Sequence, residues 1–241
     1  FISHGDRDFV ILLPSNMNDC FEFGWKALDI AEALQTPVII LSDLELGMNI
    51  WAADQLKYPE NQMNRGKILW EKDLEEFSKI HGREWGRYLD VDGDGITYRT
   101  LPGNMMENAS YFTRGTSHDE FAHYSERPEI WEGNLLRLKK KFEKAKMLVP
   151  KAEILENGSS DALLSYGSSD LAIQETMDLL LSKGKKMDYI KVKALPFDQG
   201  TDDFIHAHEH IFVVENNRDG QMRQILCINY PNQANKFISV C

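Results

Sequence analysis

Phe9-Val10-Ile11-Leu12-Leu13, then Pro14-Ser15-Asn16, and after one helical stretch Val38-Ile39-Ile40-Leu41: these runs decide the fold of the chain. The first is continuously apolar. Side chains of a strand alternate between two faces, so an unbroken apolar run predicts a strand covered on both sides, as in a parallel sheet. Pro14-Ser15-Asn16 offers a turn and an N-cap, after which Met17, Phe21, Gly24, Leu28, Ala31 and Leu34 recur at helical spacing down to Gln35. Thr36-Pro37 ends that helix, and Val38 to Leu41 follows as a second buried strand that delivers Ser42 and Asp43 to its carboxyl end. A βαβ crossover is the prediction.

Outward from this unit the pattern changes. From about Leu44 to Arg127, Gly, Asn, Pro and Asp are scattered among short apolar stretches, and only Ile68 to Ile80 looks helical. A long irregular segment must satisfy its backbone without a ladder, which points to packing or function, and its tryptophans and tyrosines favour packing. Pro128 suits the first turn of a helix through Ile130, Leu135, Leu138 and Phe142 to Val149, with Lys139-Lys140-Lys141 read as a solvated face. Pro150 to Ser160 reads as a linker. Ala162 to Tyr166 is then a strand, Gly167-Ser168-Ser169 a turn, and Leu171 to Ser182 a helix with Leu171, Met177, Leu180 and Leu181 inward and Gly184 as its C′ residue. Tyr189 to Ala194 alternates as a one-sided or edge strand, and Ile211-Phe212-Val213-Val214 is a third, buried strand. The expected fold class is α/β, two mostly parallel-sheet units, divided as 1–149, a linker at 150–160, and 161–241. A strand from Asp8 and an apolar run at Phe237 to Cys241 also lead us to expect a chain cut at both ends.

Composition sets limits. With 241 residues and 42% hydrophobic content, the chain can bury a sizeable core. Twenty-seven basic against thirty-eight acidic residues give a net charge of −11, which repels a phosphate backbone, so no nucleic-acid partner is expected. No run approaches the roughly 20 apolar residues that span a bilayer, and Phe1 to Asp8 lacks a signal-peptide plan; no membrane partner and a cytoplasmic setting are the expectation. Cys20, Cys227 and Cys241 are odd in number and far apart, against a disulfide framework, zinc knuckle or iron–sulfur cluster within the chain.

Four motifs could carry chemistry. Gly167-Ser168-Ser169 could present N–H groups to a phosphate, but without the G-x-G-x-x-G spacing a plain βα turn is expected. Asp90-Val91-Asp92-Gly93-Asp94-Gly95 matches the first half of a calcium loop, making Asp90, Asp92 and Asp94 the candidate metal ligands; Leu101 stands where the bidentate glutamate belongs, so an acidic turn is the other reading. His206, His208 and His210 would share one face of a strand as metal ligands do, or else bond to backbone. Thr113-Arg114-Gly115-Thr116-Ser117-His118-Asp119-Glu120 gathers a carboxylate-binding arginine, hydroxyls, a histidine and two acids, or is a polar surface loop. No G-x-S-x-G, H-E-x-x-H or Walker loop occurs.

Taken together, Thr36 to Asp43, Tyr88 to Gly95 with Tyr98-Arg99-Thr100-Leu101-Pro102-Gly103, Thr113 to Glu120, and Val213-Val214-Glu215-Asn216-Asn217-Arg218-Asp219-Gly220-Gln221 resemble the α subunit of 2-oxoacid:ferredoxin oxidoreductases, most nearly the 2-oxoglutarate type. The resemblance spans nearly the whole chain in order. It implies a thiamine-diphosphate enzyme that decarboxylates a 2-oxoacid oxidatively, passes electrons through iron–sulfur clusters to ferredoxin and transfers the acyl group to coenzyme A. It further implies that the first unit resembles part of a pyrimidine-binding domain and the second a transketolase C-terminal domain. A β subunit would hold the diphosphate, Mg²⁺ and the nearest cluster. The family's Tyr-Pro-Ile-Thr-Pro-type motif and its activating glutamate would lie upstream of Phe1, so no complete catalytic site is expected here. Arg114, His118 and Asp119 match a loop that faces the active-site cleft and are the candidates for holding substrate carboxylates. A pyruvate- or other 2-oxoacid-specific relative, or a non-catalytic interaction module, remains an alternative.

Overall fold

The structure is a computed structural model that describes residues 8–113 and 117–241. Its elements are, in order, β1 (Val10–Leu12), α1 (Met17–Leu34), β2 (Val38–Ile40), α2 (Leu44–Met48), α3 (Glu71–His81), α4 (Pro128–Leu148), β3 (Glu153–Leu155), β4 (Asp161–Ser165), α5 (Ile173–Ser182), β5 (Asp188–Lys191), β6 (Ala194–Leu195), α6 (Gln199–Ala207), β7 (His210–Val214), α7 (Gln221–Asn229) and β8 (Phe237–Val240). The fold is mixed α/β with sheets that are parallel in part. No helix among the described residues is long and apolar enough to cross a membrane.

Two compact units interleave along the chain, one built from 29–37 and 62–145, the other from 9–28, 38–61 and 146–241. These units cut across a division at about residue 150. The reason is a pairing that local sequence does not announce: β6 lies antiparallel to β1, Leu12 opposite Ala194, so the first two strands share a unit with the chain's last third. β1 and β2 pair in parallel as the crossover requires, Val10 opposite Val38 and Leu12 opposite Ile40.

The larger sheet of that unit has the order β3-β5-β4-β7-β8, parallel except for β3. Its core gathers Leu164, Ile190, Ile205, Ile211, Val213 and Leu226 with Leu13 and Phe197. Each such side chain, fully buried, contributes about 1.5–3 kcal/mol. Three local expectations change here. Glu153–Leu155, in the expected linker, is a strand that covers β5, so β5 is an interior strand rather than an edge. Lys191 is buried there, 2.7 Å from Glu153 Oε2 and 3.2 Å from Asp170 Oδ2. Burial alone would lower its pKa, but the hydrogen bond to Glu153 and the field of Asp170 outweigh it and hold the ammonium above its ordinary range. Finally, Leu171 and Leu181 point outward, while Ile173 takes the buried place against Leu163 and Met187.

The other unit justifies its long irregular segment by a core of its own: Leu69, Leu74, Phe77, Trp85, Leu89 and Ala109, with Tyr98 and Met106 packed on it. Its strand-like contacts are short. Leu69 N donates to Arg99 O at 2.8 Å, and Arg99 N to Lys67 O at 2.9 Å.

Candidate functional site

Ser117 to Ser125 folds back on itself: Asp119 N donates to His123 O at 2.9 Å and Ser125 N to Ser117 O at 3.2 Å. The reversal places Ala122 at φ 71°, a conformation that a side chain disfavours. Asp119 holds it there, its Oδ1 accepting from Phe121 N and His123 N, both at 2.9 Å. Tyr88 N donates to Glu120 O at 2.9 Å, which ties the loop to residues 86–88. That approach needs glycine at position 86, where a Cβ would stand 2.5 Å from Glu120 O.

The tyrosine so positioned stacks on His118, ring centres 3.7 Å apart and planes 23° apart. Helix α4 supplies the opposite wall. Asn134 Nδ2 donates to His118 O at 2.7 Å, and the Arg137 guanidinium donates to Gly95 O at 3.1 Å while standing 5.7 Å from the Tyr88 ring centre. Tyr88, Asp90, His118, Asp119, Ile130, Asn134 and Arg137 are among the residues lining a cleft of about 850 Å³. Asp90 accepts from Gly95 N through Oδ2 at 2.9 Å, whereas its Oδ1 is buried without a partner. Such an oxygen costs about 1–3 kcal/mol unless something in the cleft satisfies it.

Burial pushes the His118 pKa down, and the Arg137 and Arg87 charges push the same way against the opposing bond to the Asp119 carbonyl. The ring is therefore neutral at neutral pH. Its Nδ1 lies 3.2 Å from Asp119 O, which assigns the proton to Nδ1 and leaves Nε2 as an acceptor. A neutral acceptor, a desolvated guanidinium and the apolar flank of Ile130 suit a small anionic organic molecule.

Of the residues expected to act, His118, Asp119 and Asp90 thus meet in one cleft, and Arg114 lies outside the described residues. Asp92 and Asp94 are turned elsewhere: Lys67 Nζ stands 2.6 Å from Asp92 Oδ2, 2.8 Å from Asp94 Oδ1 and 2.9 Å from Ile96 O. An ammonium occupies the place between these carboxylates where a bound cation would stand, which is the acidic-turn reading. No group of three or more His, Cys, Asp or Glu is arranged for a metal among the described residues. The three histidines have separate partners: His206 bonds to Asp202 O, buried His208 to Phe204 O and Asp188, and His210 to Asp161. Ser168 N, offered as a phosphate donor, is taken by Asp43 Oδ2 at 3.0 Å. Tyr88 and Arg137 were not singled out by sequence. The signal for Arg137 is the spacing Asn134, Arg137, Lys141 on one side of α4, three polar residues where the apolar stripe should continue; Tyr88 carries none.

No family model matches the chain. Curated relatives do. A 2-oxoacid:ferredoxin oxidoreductase 2 subunit alpha from Aeropyrum pernix is 29% identical over 234 residues, covering 94% of this chain and 34% of that protein. The 2-oxoacid:ferredoxin oxidoreductase subunit alpha of Saccharolobus solfataricus is 26% identical and covers 98% of this chain and 36% of its own length. The 2-oxoglutarate synthase subunit KorA of Methanothermobacter marburgensis is 26% identical over 79% of this chain and 47% of that protein. The chain thus spans about a third to a half of the length of these relatives. Among solved structures, the 2-oxoglutarate:ferredoxin oxidoreductase from Magnetococcus marinus, with 2-oxoglutarate, coenzyme A and succinyl-CoA bound, superimposes with a TM-score of 0.76 at 22% identity, over 99% of this chain and 40% of that one. The chain therefore shares that fold and is similar, along nearly all of its length, to the α subunits of 2-oxoacid:ferredoxin oxidoreductases.

Proposed function

We propose that this chain is the α-subunit portion of a 2-oxoglutarate:ferredoxin oxidoreductase. The observation that carries the proposal is its alignment with 2-oxoacid:ferredoxin oxidoreductase α subunits over 94% and 98% of the chain and with a 2-oxoglutarate synthase subunit over 79% of it. In the reaction the 2-oxoacid loses its carboxylate as CO₂, the remaining acyl carbon gives up a pair of electrons to ferredoxin, and coenzyme A takes the acyl group. Thiamine diphosphate, when bound, would supply the electron sink that such a decarboxylation needs. The described residues offer no set of metal donors, and the three cysteines are unpaired and at separate places. Following the resemblance to these α subunits, Mg²⁺ and the nearest iron–sulfur cluster are assigned to a partner β subunit. The domain identities proposed from the resemblance are part of a pyrimidine-binding domain and a transketolase C-terminal-like domain, working in the cytoplasm.

Within this chain, Arg114 is proposed to hold a substrate carboxylate, since a guanidinium fork matches its two oxygens. His118, neutral, offers Nε2 to a ligand donor in the cleft. Asp119 is a positioning residue whose carboxylate is committed to its own turn. The test is steady-state viologen reduction by the co-purified complex. With Arg114→Gln, the KM for 2-oxoglutarate should rise about tenfold or more, with a smaller change in kcat. An unchanged KM removes the assignment. Preference for pyruvate over 2-oxoglutarate moves the substrate to another 2-oxoacid, and lost oligomerisation with unaltered turnover after changing Arg114 or Asp119 favours an interaction module.

A further inference from the structure

We infer that Arg87, Arg137 and Lys141 form a binding site for a phosphate-class dianion, free or as the terminal phosphate of a monoester. All three line a cavity of about 330 Å³ together with Gln35, Thr97 and Tyr88. They converge: the Arg87 and Arg137 guanidinium carbons stand 5.1 and 5.7 Å from the same Tyr88 ring centre, and Arg87 and Lys141 both bond to Gln35.

Among the described residues, every oxygen these cations are bonded to is neutral. Arg87 donates to Tyr111 Oη at 3.2 Å, Thr97 Oγ1 at 2.7 Å and Gln35 Oε1 at 2.7 Å; Arg137 donates to Gly95 O; Lys141 donates to Gln35 O and Thr36 Oγ1. Arg137 Nε is buried without a hydrogen-bond partner among the described residues. The charges also act on one another. Burial lowers the Lys141 pKa to about 8, with Arg137 and Arg87 adding to the effect, and burial and Arg87 lower that of Arg137. Mutual repulsion among desolvated cations is what a site for an absent anion looks like, because the pair energy is recovered only when the ligand arrives.

Local compensation is too small to account for the cluster. The C-terminus of α1, where Gln35 and Thr36 sit, supplies roughly half a negative charge, and Asp90 supplies one more near Arg137. Against three cations, one and a half charges remain, which matches the roughly −1.5 to −2 that a phosphate monoester carries near pH 7 and exceeds the single charge of a carboxylate. The site is also held in a costly conformation. Gln35, which presents its amide to Arg87 and its carbonyl to Lys141, has φ 52°, where glycine or asparagine is usual. The cavity, at the small end of ligand pockets, has room for a phosphate and a little more.

Calorimetric titration of the intact protein with inorganic phosphate, and in a second arm with adenosine 5′-monophosphate, at ionic strength matched by chloride, tests the assignment. Binding is expected for phosphate, with acetate far weaker, and should weaken about tenfold or more in Arg137→Gln and in Lys141→Met while Lys144→Gln, on the exposed face, binds as the parent does. Tighter binding of the nucleotide identifies a monoester and tighter binding of phosphate the free ion. Phosphate should also raise the melting temperature of the parent but not of Lys141→Met, a readout available even if Arg137→Gln fails to fold. Equal binding by the parent and both variants, or no heat and no melting shift at millimolar phosphate, overturns the proposal.

Discussion

Lys67 shows how much one side chain decides at the acidic turn. Its ammonium is bonded to Asp92, Asp94 and a backbone carbonyl, and lies 5.2 Å from the Tyr98 ring centre. The hydrogen bond from Lys67 is the main reason the Asp92 pKa is lowered. A carboxylate depressed on folding gives stability that is present above its unfolded value of 3.8 and is lost as pH falls through the lower folded value. Lys67→Met should therefore cost about 1–2 kcal/mol near neutral pH, discounted for the partial exposure of these groups. Below the folded pKa of Asp92 the difference from the parent should shrink. Urea denaturation from pH 7 down to pH 3 measures it, and a cost that does not change with pH contradicts the pairing. The same residue explains a limit of sequence reading: Asp90 to Gly95 is legible as an oxygen-rich turn, but a partner 25 positions away from Asp92 is not.

At the scale of elements, the turn and helix α4 are joined through Gly95. A Cβ there would stand 2.4 Å from Lys141 N and 2.5 Å from Arg137 O, and the residue has φ 81°. Gly93, with φ 70°, has nothing within 4 Å of its Cβ position. Gly95→Ala should cost more than about 2 kcal/mol, since backbone must move against backbone, whereas Gly93→Ala should cost about 1 kcal/mol of conformational strain alone. Thermal melts of the two variants separate these, and equal losses contradict the close approach. Elements that repeat a local period were legible: β1, α1, α4, β4 and β7 follow from runs and spacings in the sequence, and β2 does so in position but not in burial, being an edge strand with Ile40 and Leu41 exposed rather than the buried strand its apolar run predicts. What failed was set by distant partners. β5 looked like an edge strand because its alternation is local, while its cover, β3, comes from a stretch with linker composition. The basic run of α4 was likewise split, Lys139 and Lys140 exposed and Lys141 turned to bond with Gln35 and Thr36, a distinction that composition does not carry.

Across the molecule, a net charge of −11 makes the cation cluster of Arg87, Arg137 and Lys141 a local exception rather than a general property of the surface. The candidate site follows the same division as the fold. His118 and Asp119 were visible as a dense polar stretch, but Tyr88 and Arg137, which shape the cleft around His118, come from other segments. The chain supplies a scaffold, a cleft and cations, and the proposed function places the remaining cofactor sites on a partner. The most direct measurement is ferredoxin reduction by the intact protein co-purified with its β subunit. The account predicts reduction that needs 2-oxoglutarate, coenzyme A and thiamine diphosphate together and stops when the β subunit is removed. Absence of any 2-oxoacid-dependent reduction by the complete complex would contradict it.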